Sequence, residues 1–256
     1  MATAPDMISM RQRAKPFVER WYFTGMAIVM LAVSVAGFLP AIVHPAGRSA
    51  PLTLLAAAHG MVFFAWLLLF LAQSLLAATG RVQWHRRLGL SAVVLLVLMI
   101  PLGFLTTTAM VRRGFDLSGD QHIGFPPPRG LDVYTGSLFN FGGLLEFTIL
   151  AVAAVCYRRR PEIHRRLMLF TNIELMSPPI THLIGHISPL ELTPPEVLIP
   201  FTLFLLAGVT RDYLVAKRIH PLTAGLAIAL FVSLPIQGAL IGPSAAWHHF
   251  AAWLSR

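Results

Sequence analysis

Long apolar runs dominate the chain, and short polar links separate them. Seven of these runs are long enough to cross a bilayer as helices, because about 20 apolar residues cover the ~30 Å of hydrocarbon. They lie at 22–43, 53–79, 88–109, 135–157, 164–187, 195–215 and 222–242. Within the runs, apolar and polar residues do not alternate as they would in the strands of a membrane barrel. The pattern predicts an all-α integral membrane bundle of seven transmembrane helices.

Basic residues distinguish the two ends of these helices. Fifteen Lys and Arg fall on the side of the N-terminus, and five fall on the other side. Cytoplasmic loops carry the excess of Lys and Arg, so we expect a cytoplasmic N-terminus and an external C-terminus. Residues 1–21 are then a cytoplasmic N-terminal segment, and 22–256 form a single transmembrane domain with an external loop at about 110–134. The expected location is the bacterial cytoplasmic (inner) membrane.

Composition excludes several other classes of protein. The chain is 56% hydrophobic and only 12% charged, which is far more apolar than a soluble domain. Its net charge of +9 crowds the ends of the apolar runs, which favours contact with anionic lipid head groups at the cytoplasmic Arg clusters over nucleic acid. Cys156 is the only cysteine, so the sequence contains no disulfide framework and no CxxC motif.

One short phrase occurs twice in the chain. RVQWHRRLGL at 81–90 and RPEIHRRLML at 160–169 share six of ten residues, and each copy links two apolar runs. This favours a duplicated hairpin formed by spans two to five, which would place His85 and His164 at equivalent depth. The alternative is that two unrelated cytoplasmic turns are both rich in arginine.

Polar residues inside the runs fall into layers when depth is counted at ~1.5 Å per residue. His59 and His182 share an outer layer, and His186 lies one turn beyond His182. Glu146 and Glu174 both lie near mid-membrane. Ionisable groups at such depth cost about 2.5–3.5 kcal/mol each, so they usually mark a function or a buried pairing.

Several kinds of site are compatible with these layers. The glutamates are candidates for a proton relay, or for helix contacts through hydrogen bonds to neighbouring polar residues, namely Gln73, Asn140, Thr171 and Asn172. The alternative is a divalent metal site, in which His182 and His186, at i and i+4, join Glu146 and Glu174. The two histidines could instead satisfy carbonyls freed by Pro178 and Pro179, which should kink or break the fifth helix near its outer end.

The histidine layers also match the requirements of haem. A b-type haem needs two imidazoles on helices close enough to hold one macrocycle, and a pair near each membrane face makes an electron path. His59 with His182 (or His186) and His85 with His164 satisfy this requirement in depth.

Two resemblances accompany these patterns. His59-Gly60, Gly80-Arg81 and the HRRLG stretch 85–89 resemble the core helices of transmembrane diheme b-type cytochromes, which implies haem b and electron transfer. Those cytochromes carry a histidine on each of four successive helices, whereas span four here has none, so span five would supply both His164 and His182. Residues 160–168 and 247–253 resemble a group of uncharacterised bacterial polytopic membrane proteins, a likeness that covers most of the chain and implies no activity.

Two further functions stay open at this point. A proton- or cation-coupled transporter would use Glu146 and Glu174 at the midplane, with a broken fifth span and the 110–134 loop as a lid. A non-catalytic assembly or scaffold protein would use its histidines and glutamates only for packing. Haem gives visible absorption bands, transport gives flux, and a scaffold gives neither.

Overall fold

The computed structural model describes residues 16–44, 52–113, 132–187 and 194–256, and every regular element in these ranges is helical. The α-helices are α1 (Phe17–Val43), α2 (Leu54–Ala78), α3 (Val82–Arg113), α4 (Val133–Cys156), α5 (Pro161–Glu174), α6 (Ser177–Ile187), α7 (Pro194–Ala216), α8 (Pro221–Pro235) and α9 (Ala245–Leu254). A 3₁₀ turn, Tyr157–Arg159, follows α4, and a π-helical segment, Ile236–Ile241, continues α8.

Six helices in the described ranges are long and apolar enough to cross a membrane: α1, α2, α3, α4, α7, and α8 together with its π-helical segment. An all-helical, multi-pass membrane protein is therefore confirmed. The prediction of seven single-helix spans is not confirmed, because the predicted span 164–187 consists of two shorter helices, α5 with 14 residues and α6 with 11. The cytoplasmic N-terminus and external C-terminus stay predictions.

The break between α5 and α6 has a backbone cause. Pro178 and Pro179 occupy the first turn of α6, where the missing N–H of proline leaves no helical hydrogen bond unmade. The chain therefore turns before the prolines, and the N–H of Met176 donates to the carbonyl of Ile173 to close α5. The sequence predicts a break near the outer end of this span, whereas the structure places it midway, directly after Glu174.

Helix packing follows the order of the hairpins. α2 lies along α3 and α4 lies along α5, while α1 packs against α2 and α6. The main core contains Met30, Phe170, Ile173 and Phe201, all essentially inaccessible to solvent. Many large apolar side chains on the outside of the bundle remain exposed, as expected for a surface that faces lipid.

A further helix, α9, lies beyond the last predicted span. α9 begins with Ser244 as its N-cap, whose hydroxyl accepts from the N–H of Trp247. The indole N–H of Trp247 donates to the carbonyl of Tyr134 at 2.7 Å, and Nε2 of His248 lies 3.2 Å from the carboxylate of Asp132. These contacts dock α9 on the start of α4.

Two predicted segments fall largely outside the described residues. Of the external loop at about 110–134, residues 110–113 complete α3, residues 132–134 cap and begin α4, and 114–131 lie outside the description. Of the N-terminal segment 1–21, the described part from Phe17 onward is already helical.

Candidate functional site

The two copies of the repeated phrase bring His85 and His164 together. Both residues lie in the first turn of a helix, His85 in α3 and His164 in α5. The centroids of their imidazole rings are 6.4 Å apart, and the ring planes stand nearly perpendicular, at 85°. Residues 79 positions apart in an otherwise apolar bundle thus form one adjacent pair.

Each of these rings is held by a backbone carbonyl of the preceding helix. Nδ1 of His85 lies 3.3 Å from the carbonyl oxygen of Gln73, and Nδ1 of His164 lies 2.8 Å from that of Ala154. A carbonyl only accepts, so Nδ1 carries the proton in a neutral ring and Nε2 keeps its lone pair. Metal-binding histidines are anchored in this way, with one nitrogen donating to the protein and the other facing the ligand.

A buried amide lies close to this pair. The side-chain nitrogen and oxygen of Gln73 are buried, and neither has a hydrogen-bond partner among the described residues. Its Nε2 would lie 3.8 Å from a Cβ at Gly89, which is one helical turn beyond His85 on α3. A buried amide normally finds partners because desolvation without them costs about 1–3 kcal/mol. The amide therefore offers a donor and an acceptor to a polar atom bound here.

The outer histidines are placed differently. The ring of His59 stacks on Phe63 of the same helix at a centroid distance of 4.1 Å. The ring of His182, on α6, is buried and packs on Phe38 of α1 at 4.6 Å. Nε2 of His186 lies 3.1 Å from the carbonyl oxygen of Gly37, so it donates to α1. Of the predicted haem ligands, the structure brings together the inner pair and packs the outer two against separate phenylalanines.

The two mid-membrane glutamates form a carboxyl pair. Glu174, the last residue of α5, packs against α4 close to Glu146, so that the two carboxyl groups act on each other electrostatically. Glu146 also accepts from Nε2 of Gln237 at 3.0 Å and from Oγ of Ser233 at 3.3 Å. Two carboxylates in close contact repel each other, and a proton on one of them removes this repulsion, so the pair is a candidate proton-binding site between α4 and α5.

Two glycines of α4 make room for this pair. A Cβ at Gly143 would lie 3.0 Å from Oε1 of Glu174, and a Cβ at Gly142 would lie 2.3 Å from Oε1 of Gln237. Gln237 belongs to the π-helical segment, a geometry that occurs frequently at functional sites. The close fit of glycines, π-helix and carboxyls shows that this polar cluster is built into the helix packing.

The partners of the glutamates differ from those that the sequence predicts. The hydroxyl of Thr171 donates to the carbonyl of Leu167, and the amide of Asn172 donates to that of Met168, so both serve their own helix. Ser233 and Gln237 take their place. They are more than 85 residues from Glu146 in sequence, and no local spacing reveals such a contact.

The alternative metal set is not assembled at one point. Within the described residues, no group of three or more His, Cys, Asp and Glu side chains is arranged to hold a metal ion. His182, His186, Glu146 and Glu174 are all described, and the two glutamates lie next to each other.

The sequence prediction missed a buried ionic cluster where α5, α7 and α8 meet. Asp212, 1% exposed, accepts from Nη2 of Arg166 at 2.7 Å and from Nη1 of Arg211 at 3.0 Å. The hydroxyl of Thr223 and the backbone N–H of His220 also donate to Asp212. The sequence prediction treats Arg166 and Arg211 as charges at the membrane interface, whereas both are buried in the structure. The available signal was a lone acid beside an arginine at the end of an apolar run.

Glu162 borders this cluster at the start of α5. It pairs with Arg165 and, at 2.8 Å, with Arg166. Partial burial raises the pKa of Glu162, but the hydrogen bond from Arg166 and the charges of Arg165 and Arg211 outweigh burial and leave the pKa below its usual value. The carboxylate is therefore ionised at neutral pH.

The chain matches no family model, no curated protein and no solved structure in the three comparisons made.

Proposed function

We propose that this membrane protein binds haem b between His85 and His164 and serves in electron transfer. The observation that carries the proposal is the pairing of two imidazoles, each anchored through Nδ1, with ring centroids 6.4 Å apart. Two imidazoles bound to opposite sides of one metal ion have centroids about 6 Å apart, because a metal–nitrogen bond is about 2 Å and the nitrogen lies about 1 Å from its centroid.

The donor set also favours haem over a divalent ion held by protein alone. Two imidazoles complete the coordination of haem iron, since the macrocycle supplies the other ligands, whereas protein zinc sites use three or four side chains. The amide of Gln73, which has no hydrogen-bond partner in the described part of the chain, lies near His85 and would meet a polar group of the bound molecule. Bound haem supplies a one-electron carrier, and the anchored histidines would hold its iron and help set its potential.

Variants of the four histidines test this proposal. We expect His85→Ala and His164→Ala each to remove the haem bands from the reduced-minus-oxidised absorption spectrum of purified protein. His59→Ala and His182→Ala should keep them, because those rings pack on phenylalanines away from the inner pair. Bands that survive both inner replacements but vanish with an outer one would place the cofactor elsewhere.

A second function, proton or cation transfer across the membrane, is favoured by the carboxyl pair. Glu146 and Glu174 lie close together at a helix break, beside a π-helical segment. Broken helices in transporters line their ion sites, because freed backbone groups and buried carboxyls there face one cavity.

Flux measurements test this second function. In proteoliposomes with a trapped pH dye, we expect Glu174→Gln and Glu146→Gln each to lower proton flux by about a hundredfold, since glutamine cannot carry the proton. Glu162→Gln is the matched control, because Glu162 is 61% exposed at the start of α5 and should leave the flux unchanged. Equal flux in all four proteins would exclude the carboxyl pair from transport.

A further inference from the structure

Arg211 of the ionic cluster and Arg165 beside it lie near the same aromatic ring. The guanidinium carbon of Arg211 lies 5.3 Å from the ring centroid of Phe23, and that of Arg165 lies 6.0 Å from the same centroid. The like charges of Arg211 and Arg165 repel each other, which disfavours this pair of cations when no anion is bound. Two guanidinium groups that crowd one ring are stabilised by an anion placed between them.

The donors of Arg211 are only partly used. Its Nη1 donates to Asp212, while its Nε and Nη2 are buried and have no hydrogen-bond partner among the described residues. Nε–H and Nη2–H form the side of the guanidinium that grips an oxyanion with two parallel bonds, as Arg166 grips Asp212. Arg211 is 2% exposed, so an unused fork of this kind is costly inside the protein.

The carboxylates of the cluster cannot fill this fork. Asp212 already accepts from two arginines, from the Thr223 hydroxyl and from the His220 N–H, which exhausts its lone pairs. Glu162 is engaged by Arg165 and Arg166. Nε of Arg165 is likewise buried and has no hydrogen-bond partner within the described part of the chain, although the charge of Glu19 on α1 acts on this arginine.

We propose that Arg211 and Arg165 bind a phosphate group beside Phe23. The fork of Arg211 supplies two donors and Nε of Arg165 a third, which matches the three or more acceptor oxygens of phosphate better than the two of a carboxylate. The side chain of Arg165 is 22% exposed and so marks the entrance, whereas Arg211 forms the buried floor. An anionic phospholipid head group and free inorganic phosphate share this chemistry.

The test uses the full chain in detergent and two probes in separate titrations, phosphatidylglycerol and inorganic phosphate, against sodium chloride of equal ionic strength. We expect saturable binding of at least one probe, and the probe that binds identifies the source. Arg211→Lys keeps the positive charge but removes the fork, so its affinity should fall at least tenfold. Arg158→Lys, at an exposed arginine on the 3₁₀ turn, is the matched control and should bind like the wild type.

Arg165→Lys guards against a folding defect in the first variant. It lies at the partly exposed entrance and keeps a positive charge beside Glu162, but its single ammonium replaces the guanidinium and lacks the Nε donor, so we expect a fewfold weaker binding by a folded protein. Absence of saturable binding of both probes to the wild type would overturn the proposal. Wild-type affinity in whichever of the two lysine variants folds would overturn it equally.

Discussion

Replacing Asp212 with asparagine is expected to lower the free energy of unfolding by about 3–5 kcal/mol, the usual cost of removing one partner from a buried ion pair. Asp212 is 1% exposed and serves two buried arginines, Arg166 and Arg211. Asparagine keeps the shape but leaves both guanidinium groups without their shared negative charge. The measurement is the denaturation midpoint of purified protein in detergent, followed by size-exclusion chromatography.

Glu162→Gln is the control for this experiment. Glu162 pairs with the same Arg166 but is 61% exposed, so solvent screens the pair and the expected loss is below about 1 kcal/mol. Equal losses in the two variants would show that burial does not determine the strength of the cluster. A wild-type midpoint for Asp212→Asn would contradict the cluster itself.

Replacing Gly37 with alanine is expected to destabilise the bundle by about 1–3 kcal/mol or more, as overpacking does. A Cβ at this position would lie 2.5 Å from the carbonyl oxygen of Pro179 and 3.4 Å from the backbone nitrogen of Leu183. Both atoms belong to the backbone of α6, which cannot move aside as a flexible side chain would. α1 and α6 must therefore separate, and the contact between His186 and the carbonyl of Gly37 should weaken with them.

Gly25→Ala provides the matched comparison on the same helix. No atom lies within 4 Å of a Cβ at Gly25, so alanine there should be neutral or slightly stabilising, since it has the higher helix propensity. Thermal denaturation of both variants in the same detergent measures the difference. An unchanged midpoint for Gly37→Ala would show that α1 and α6 are not in the close contact described.

The positions of most helices follow from the sequence because hydrocarbon thickness imposes a length on each apolar run. α1, α2, α4 and α7 begin and end within a few residues of the predicted spans. The run 164–187 is also long enough to span a membrane. Its length does not show, however, that the run consists of two helices. Pro178 and Pro179 predict a break in this run. The residue at which the helix breaks depends on the backbone hydrogen bonds around Met176, which the sequence does not reveal.

The sequence predicts some of the pairings in the candidate site but not others. The HRRL repeat and the depth count predict a shared level for His85 and His164, and likewise for Glu146 and Glu174, and the structure places the members of each pair next to each other. Whether two residues of one level touch depends on how helices rotate and pack, and this separates the inner histidines from His59 and His182. Contacts such as Gln237 with Glu146 join distant segments through a π-helical turn, which no local periodicity predicts.

The ionic cluster was missed for a different reason. Charges near the ends of apolar runs were used to predict orientation, and that use treats every arginine as solvated. Asp212 is the exception that matters, because an acid next to Arg211 can draw two arginines inside. Acidic residues at span ends are therefore informative about burial as well as topology.

The haem content of the unmodified protein tests the central proposal most directly. The chain is to be purified from haem-sufficient cells, and its haem measured per polypeptide from the reduced-minus-oxidised spectrum together with elemental iron. One adjacent histidine pair predicts about one haem per chain, not the two of a diheme cytochrome. A colourless preparation without iron, from a folded protein, would contradict haem binding at His85 and His164.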